Sequence, residues 1–192
     1  CSSDLKVVTE VVTRLATADD VPFLWEMLYY AAHMDEEAGR TVTQAKTDAF
    51  LALYVEGWGR PGDLGVIAVA HEGWTGEQGE GERAEGERKA GQRKDGEHKE
   101  GESKLGAAWV RLLARDSGPG DDDAATPELA IATWPEVTGR GIGTRLMRHL
   151  LAEAAGHYPA IVLTVRANNP ALRFYERLGF CIVGELQNRV GT

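Results

Sequence analysis

The sequence predicts an α/β fold on three observations. Strand-like and helix-like stretches alternate along most of the chain, one glycine-rich loop stands between a strand and an amphipathic helix, and a single charged stretch interrupts the pattern. At 192 residues the chain is long enough for one such domain with a core and too short for two comfortable ones. Residues 1–192 are therefore expected to form a single domain. Acidic residues outnumber basic ones by 30 to 21, leaving a net charge of −9, the wrong sign for a protein that neutralises phosphates, so nucleic acid is not an expected partner. Cys1 and Cys181 have neither the density of a disulfide framework nor the spacing of a metal site, which points to the reducing cytoplasm and to no bound metal. The longest apolar stretch, around Leu64 to Ala70, cannot span a bilayer. A soluble monomer or homodimer without a membrane partner is expected.

The elements follow in order. Val7 to Ala16 is β-branched and strand-like. Asp19, Asp20 and Pro22 then supply a helix start, with Leu24, Met27, Leu28 and Ala31 on one stripe. A second helix is predicted from Thr43 to Val55, ahead of the turn sequence GWGRPGD. Leu64 to Ala70 and Leu105 to Ala114 read as strands that bracket the charged stretch Gly76 to Lys104. In that stretch Gly76, Gly81, Gly86, Gly91, Gly96 and Gly101 recur every five residues, among nine acidic and seven basic side chains and no large apolar one. It cannot bury enough surface to offset its ordering entropy, about 1–2 kcal/mol per residue for the backbone, and is expected to be a disordered insertion at the tip of a β-hairpin.

Beyond the loop RDSGPGDDDAATP, Glu128 to Thr133 reads as a strand. Thr144 to Ala155 reads as a helix with Leu146, Met147, Leu150, Leu151 and Ala154 at helical spacing, closed by Gly156. Ala160 to Arg166 is predicted as a strand, Pro170 to Leu178 as a short helix stopped by Gly179, and Phe180 to Leu186 as a last strand. Strand, glycine loop, helix, strand is a βαβ unit. Its loop carries Gly139, Gly141 and Gly143 immediately before the helix, where unpaired amides and the helix dipole favour an anion and glycine lets it approach. Arg140 and Arg145 could add charge. Gly143 is followed by Thr144 and Arg145 rather than Lys-Ser/Thr, so the loop is not a P-loop, and its glycine spacing is not the dinucleotide fingerprint. On the loop alone, a simple glycine-rich turn stays open as the alternative.

Read together, LAIATWPEVTGRGIGTRLM and NNPALRFYERLGF resemble the GNAT family of acetyl-CoA-dependent N-acetyltransferases. The family's Arg/Gln-x-x-Gly-x-Gly/Ala loop falls on Thr138, Gly139, Arg140, Gly141, Ile142 and Gly143. Its Asn-x-x-Ala-x-x-x-Tyr-x-x-x-Gly-Phe segment falls on Asn168, Ala171, Tyr175, Gly179 and Phe180. TRLATADDVPFLWEML is similar to the family's first strand and helix. The departure is Thr138, which stands where the family has Arg or Gln. The resemblance implies a mixed, mostly antiparallel sheet with a central βαβ unit that binds CoA, flanked by helices, and implies acetyl-CoA as cosubstrate.

The resemblance also implies roles. The loop 138–143 and Thr144 would hold the CoA pyrophosphate, and the backbone of Ile131 and Thr133 would pair with the pantetheine arm and aim an N–H at the thioester oxygen. Asn168 would hold that arm or cap the short helix. Tyr175 would protonate the departing sulfur, with a core aromatic as its other reading, and Glu128 would act as base, directly or through water. The acceptor amine would meet the first two helices, where Trp25, Tyr29, Tyr30, His33 and Trp58 lie, and Asp121 to Asp123 could attract its charge. A second reading, a non-catalytic acyl-CoA-binding sensor or interaction module on the same fold, fits Thr138 but leaves Tyr175 without a task.

Overall fold

The computed structural model describes residues 10–36, 39–71, 102–113 and 126–185. The chain divides into two compact units, Cys1–Val162 and Leu163–Thr192. In the first, β1 (Val11–Leu15), β2 (Leu64–His71), β3 (Glu102–Arg111) and β4 (Glu128–Thr133) form one antiparallel sheet in the order β1-β2-β3-β4. Two groups of helices cover it: α1 (Val21–Ala31) with α2 (Val42–Thr47) and α3 (Ala49–Ala52) on one face, and α4 (Ile142–Ala154) on the other. The alternation of strand side chains sets the two cores. Ile67, Ala107, Trp109 and Ala130 pack with Phe23, Leu24, Met27 and Val55 on the α1 side. On α4, Ile142, Leu146, Met147, Leu150 and Ala154 are buried, the large ones contributing about 1.5–3 kcal/mol each relative to exposure.

β1, α1, β2, β4 and α4 lie where the sequence places them, whereas β3 begins at Glu102, three residues before the expected Leu105, and ends at Arg111. The helix expected from Thr43 to Val55 is instead broken at Asp48, whose backbone is extended and whose side chain accepts hydrogen bonds from Phe50 N at 2.9 Å and Leu51 N at 3.0 Å. An aspartate that can bond the backbone ahead of it starts a new helix rather than continuing an old one. The expected strand Ala160–Arg166 reduces to one parallel bridge, Val162 to Glu128, with Leu129 N donating to Val162 O at 2.8 Å. That bridge completes the crossover from β4 through α4. In the second unit the described element is α5 (Leu172–Arg177), and Phe180 to Glu185 form no strand.

The charged repeat lies outside the described residues except at its end, where the expectation of a disordered segment reaching Lys104 is wrong. Glu102, Ser103 and Lys104 belong to β3. Between Ala68–Gly106 and Val69–Lys104 the β2–β3 register skips Leu105. Such a bulge turns the following side chains to the other face. Lys104 thereby meets Asp20 at 2.6 Å, and Glu102 accepts from Arg14 Nε at 2.7 Å. Asp20 is 1 % exposed. It also accepts from both terminal nitrogens of Arg14, at 2.7 and 2.9 Å, and from Thr17 N at 2.8 Å. Burial alone would raise the Asp20 carboxyl, but these donors outweigh it and hold the group well below the usual carboxylate range.

A depressed folded-state pKa means that the stabilisation is complete above the unfolded value, near about 4, and is lost as pH falls below it. Asp20→Asn is expected to lower stability at neutral pH by about 2 kcal/mol and to flatten the acid limb of the stability curve. Thermal melts of both proteins between pH 2 and pH 7 test this; identical acid limbs would show that Asp20 does not set the pH dependence.

Candidate functional site

β4 leads to the site. Trp134 N donates to Leu105 O at 3.0 Å, so the even-numbered residues of β4 direct their backbone groups to β3. Leu129, Ile131 and Thr133 direct theirs to the opposite edge. Leu129 spends its N–H on Val162, and beyond that point no described strand pairs with β4. Ile131 and Thr133 thus present outward N–H and C=O groups in sequence. The spacing of β3 and β4 here requires a glycine: a Cβ on Gly106 would stand 2.7 Å from Ala132 O and 2.8 Å from Thr133 Cγ2.

After β4 the chain makes a 3-10 turn, Pro135–Val137, and passes through extended Thr138 into the glycine loop. Gly139 and Gly141 have φ of +80° and +76°, left-handed values that cost a non-glycine residue about 1–2 kcal/mol. A Cβ at either would meet nothing within 4 Å, so backbone conformation rather than crowding demands glycine. Gly141 is the N-cap of α4, no side chain caps that end, and no acidic residue occupies its first turn. The first amides of α4, from Ile142, Gly143 and Thr144, are thereby left for an outside acceptor. Buried Val137 and Ile142 anchor the loop on either side, so Ile142 can offer a ligand only its N–H. Thr138, Gly139, Arg140 and Gly141 are exposed.

Glu128, at the start of β4, is 3 % exposed, on the same face as Ala130 and directly opposite Arg111 of β3. Arg111 is a residue the sequence reading passed over within an apolar run. It is fully buried; its Nε lies 3.1 Å from Asp63 Oδ1 without hydrogen-bond alignment, and it donates to Gly57 O at 3.0 Å. Burial lowers its pKa, a shift the Asp63 carboxylate opposes. A charged residue in an otherwise apolar strand is the signal that could have flagged it.

The aromatic candidates separate into two groups. Trp25 is buried in the core and Trp58 packs against it. Tyr29, Tyr30 and Trp134 are half-buried and meet edge to face, with centroids 5.2 Å apart for Tyr29–Tyr30 and 5.4 Å for Tyr30–Trp134. Burial, followed by the charges of Glu136, Asp35 and Glu26, raises the Tyr30 pKa. His33 closes α1 at φ 55° with Nδ1 3.0 Å from Glu36 Oε1. Asp121 to Asp123 lie outside the described residues.

Tyr175 and Asn168 belong to the second unit. Tyr175 sits on α5 between the rings of Phe174, 5.3 Å away, and Phe180, 6.0 Å away, and its partial burial raises its pKa. Such a phenol is protonated at neutral pH and can donate. Of the two roles weighed for Asn168, capping is not the one it fills: no side chain caps α5, whose N-cap is Ala171, and the neighbouring Asn169 Oδ1 accepts from Ala171 N at 2.8 Å in the turn ahead of the helix. Asn168 is exposed in the preceding turn.

Residues 100–182 match the family model of the acetyltransferase (GNAT) domain. No curated protein matches. Among solved structures, a GCN5-related N-acetyltransferase from Ralstonia eutropha JMP134 is 17 % identical, with a TM-score of 0.57 and coverage of 94 % of this chain and 99 % of that one. A predicted acetyltransferase from Clostridium acetobutylicum, solved with acetyl-CoA, is 15 % identical, with a TM-score of 0.55 and coverage of 93 % and 95 %. The aminoglycoside N-acetyltransferase AAC(6')-Iy, in complex with CoA, is 12 % identical, with a TM-score of 0.55 and coverage of 96 % of both chains. At these identities the likeness is one of fold.

Gly106→Ala is expected to force β4 away from β3, because the nearest obstructing atom, Ala132 O, is backbone, and to destabilise by about 1–3 kcal/mol. Urea denaturation measures the cost. Unchanged stability would mean that the two strands are not held at the spacing described.

Proposed function

From the match of residues 100–182 to the acetyltransferase (GNAT) domain model, we propose that the chain transfers an acetyl group from acetyl-CoA to a primary amine of a small molecule or peptide, and that residues 1–192 act as one such domain in the cytoplasm. The observation that carries this reading is the pair of left-handed glycines ahead of the uncapped α4 N-terminus, joined directly to a strand whose outer edge offers backbone hydrogen bonds. The first feature fits a pyrophosphate and the second fits the amide-bearing pantetheine arm.

In this reading, Thr138 to Thr144 bind the pyrophosphate through backbone amides, so the loss of a long side chain at position 138 weakens the grip without abolishing it. Ile131 and Thr133 orient the arm, and an N–H of β4 stabilises the oxyanion formed when the amine nitrogen attacks the thioester carbon. As the carbon–sulfur bond breaks, Tyr175 donates its phenolic proton to the thiolate, while Glu128, directly or through water, takes the proton released by the amine. Asn168 holds the arm. The carboxylates near Tyr30 favour a cationic acceptor at the end of α1.

Acetyl-CoA is expected to raise the melting temperature more than NAD or ATP at equal concentration, and Gly141→Val to remove most of that shift while the protein stays folded. A larger shift with NAD or ATP would sink the reading.

Thiol release from acetyl-CoA across a panel of amines then tests turnover. Tyr175→Phe is expected to lower kcat by about 10²- to 10⁴-fold with acetyl-CoA binding unchanged. Full activity in that variant would remove Tyr175 from the mechanism, and absence of thiol release with every amine would favour an acyl-CoA sensor.

A further inference from the structure

On the side of α4 facing β1, Glu10, Val11, Val12, Thr13, Arg145, Arg148 and His149 line an open cleft of about 470 Å³. Its chemistry runs against the rest of the molecule. The chain carries a net charge of −9, yet this cleft is lined by two guanidiniums against the carboxylate of Glu10, with Glu153 beside His149 at 3.7 Å.

One wall is a strand edge. Ala16 N donates to Gly65 O at 2.8 Å, so Val12, Arg14 and Ala16 turn their backbone groups to β2, while Val11, Thr13 and Leu15 turn theirs outward. β1 is the terminal strand of the sheet among the described residues. Two of the outward carbonyls are covered by the protein's own side chains: Arg145 donates to Val11 O at 2.9 Å and Arg14 to Leu15 O at 3.1 Å. Between them, no described hydrogen bond reaches the outward N–H or C=O of Thr13. Its side chain meets His149 Nδ1 at 2.9 Å, which places the face of α4 bearing Arg145 and His149 alongside the strand. Arg148 is exposed, and no described residue pairs with it.

The spacings of the two walls are compatible. Residues 145 and 148 are about 4.5 Å apart along the helix and alternate residues of a strand about 6.7 Å, a difference of about 2 Å that two long guanidinium side chains can span. A strand added to β1 can therefore present alternate side chains to Arg145 and Arg148. A carboxylate there offers Arg145 a charge-assisted partner stronger than the Val11 carbonyl, which is released for strand pairing.

We propose that the β1–α4 cleft docks an extended acidic peptide segment of a partner protein, joined to β1 by backbone hydrogen bonds and read by Arg145 and Arg148 through carboxylates at alternate positions. This is independent of the transferase reading.

The test uses the full chain and a fluorescent decapeptide of alternating Glu and Thr, with its Gln–Thr counterpart as control. Anisotropy should show the Glu peptide binding at least about tenfold more tightly than the Gln peptide, with affinity falling as salt rises. Arg148→Glu, at an exposed position, should weaken binding about tenfold or more without changing the melting temperature. Hydrogen exchange should show new protection at Val11, Thr13 and Leu15. Equal affinity for the two peptides, an Arg148→Glu variant that binds as well as wild type, or protection confined to 139–143 would each overturn the proposal. So would a dimer paired through β1 that excludes the peptide.

Discussion

Asp20 is the point on which the first unit turns. Its carboxylate stands immediately before α1 and is shared among Arg14 of β1, Lys104 of β3 and the Thr17 amide. β1 and the start of α1, neighbours in sequence, are thereby tied to β3, which lies far along the chain. The arrangement requires Lys104 to face α1, and only the skipped residue Leu105 lets it do so. Upstream of that bulge lie the charges of the hairpin's second arm. Downstream lies the register that pairs Trp109 with Ala130 and Gly106 with Thr133. The bulge thus lets one strand serve the ion network on one side of Leu105 and the pairing with β4 on the other, and a buried carboxylate with several donors makes it costly to shift.

How much of this was legible depends on whether the signal was local. β4 and α4 could be read directly, because an apolar strand, three glycines and a helical stripe each act within a few residues. The left-handed φ at Gly139 and Gly141 is the conformation that such a glycine pattern exists to allow. Asp48 was missed because periodicity across Thr43 to Val55 persists through a residue whose side chain competes with the helix. Lys104 was missed because it reads as one more charge in a repeat, and its partner is 84 positions earlier in the chain. The strand expected at Ala160–Arg166 shows the reverse error. Its alternation of Ile161, Leu163 and Val165 is real, but a strand exists only where a neighbour accepts its hydrogen bonds, and the bonding stops at Val162.

β4 carries three environments on six residues. Glu128 and Ala130 face the α1 core, Ile131 and Thr133 face the α4 side, and the backbone of those two points out along the sheet edge. A reactive site built on such a strand inherits rigidity from the packing of Leu129 and Ala130. Glu128 is buried as well, its carboxylate across from Arg111. In the proposed reaction this burial makes proton removal through water more economical than direct contact, because an incoming amine need only approach a chain of hydrogen bonds and not displace the core around Ala130.

Thr138 is the residue by which this loop differs from the GNAT pattern it resembles, and the loop's construction leaves the backbone amides in place despite the change. Val137 and Ile142 are both buried, so the four residues between them are fixed at each end by hydrophobic packing. The left-handed glycines set the path between those anchors, and the amides of α4 then point outward without assistance from any side chain. An Arg or Gln at 138 would add a contact at the rim, worth a charge-assisted hydrogen bond at most. Loss of either apolar anchor would instead let the loop move and disperse the amides together. In the proposed reading, the hold on an anion therefore rests more on core packing at Val137 and Ile142, which fixes the amides, than on the exposed side chains of the loop.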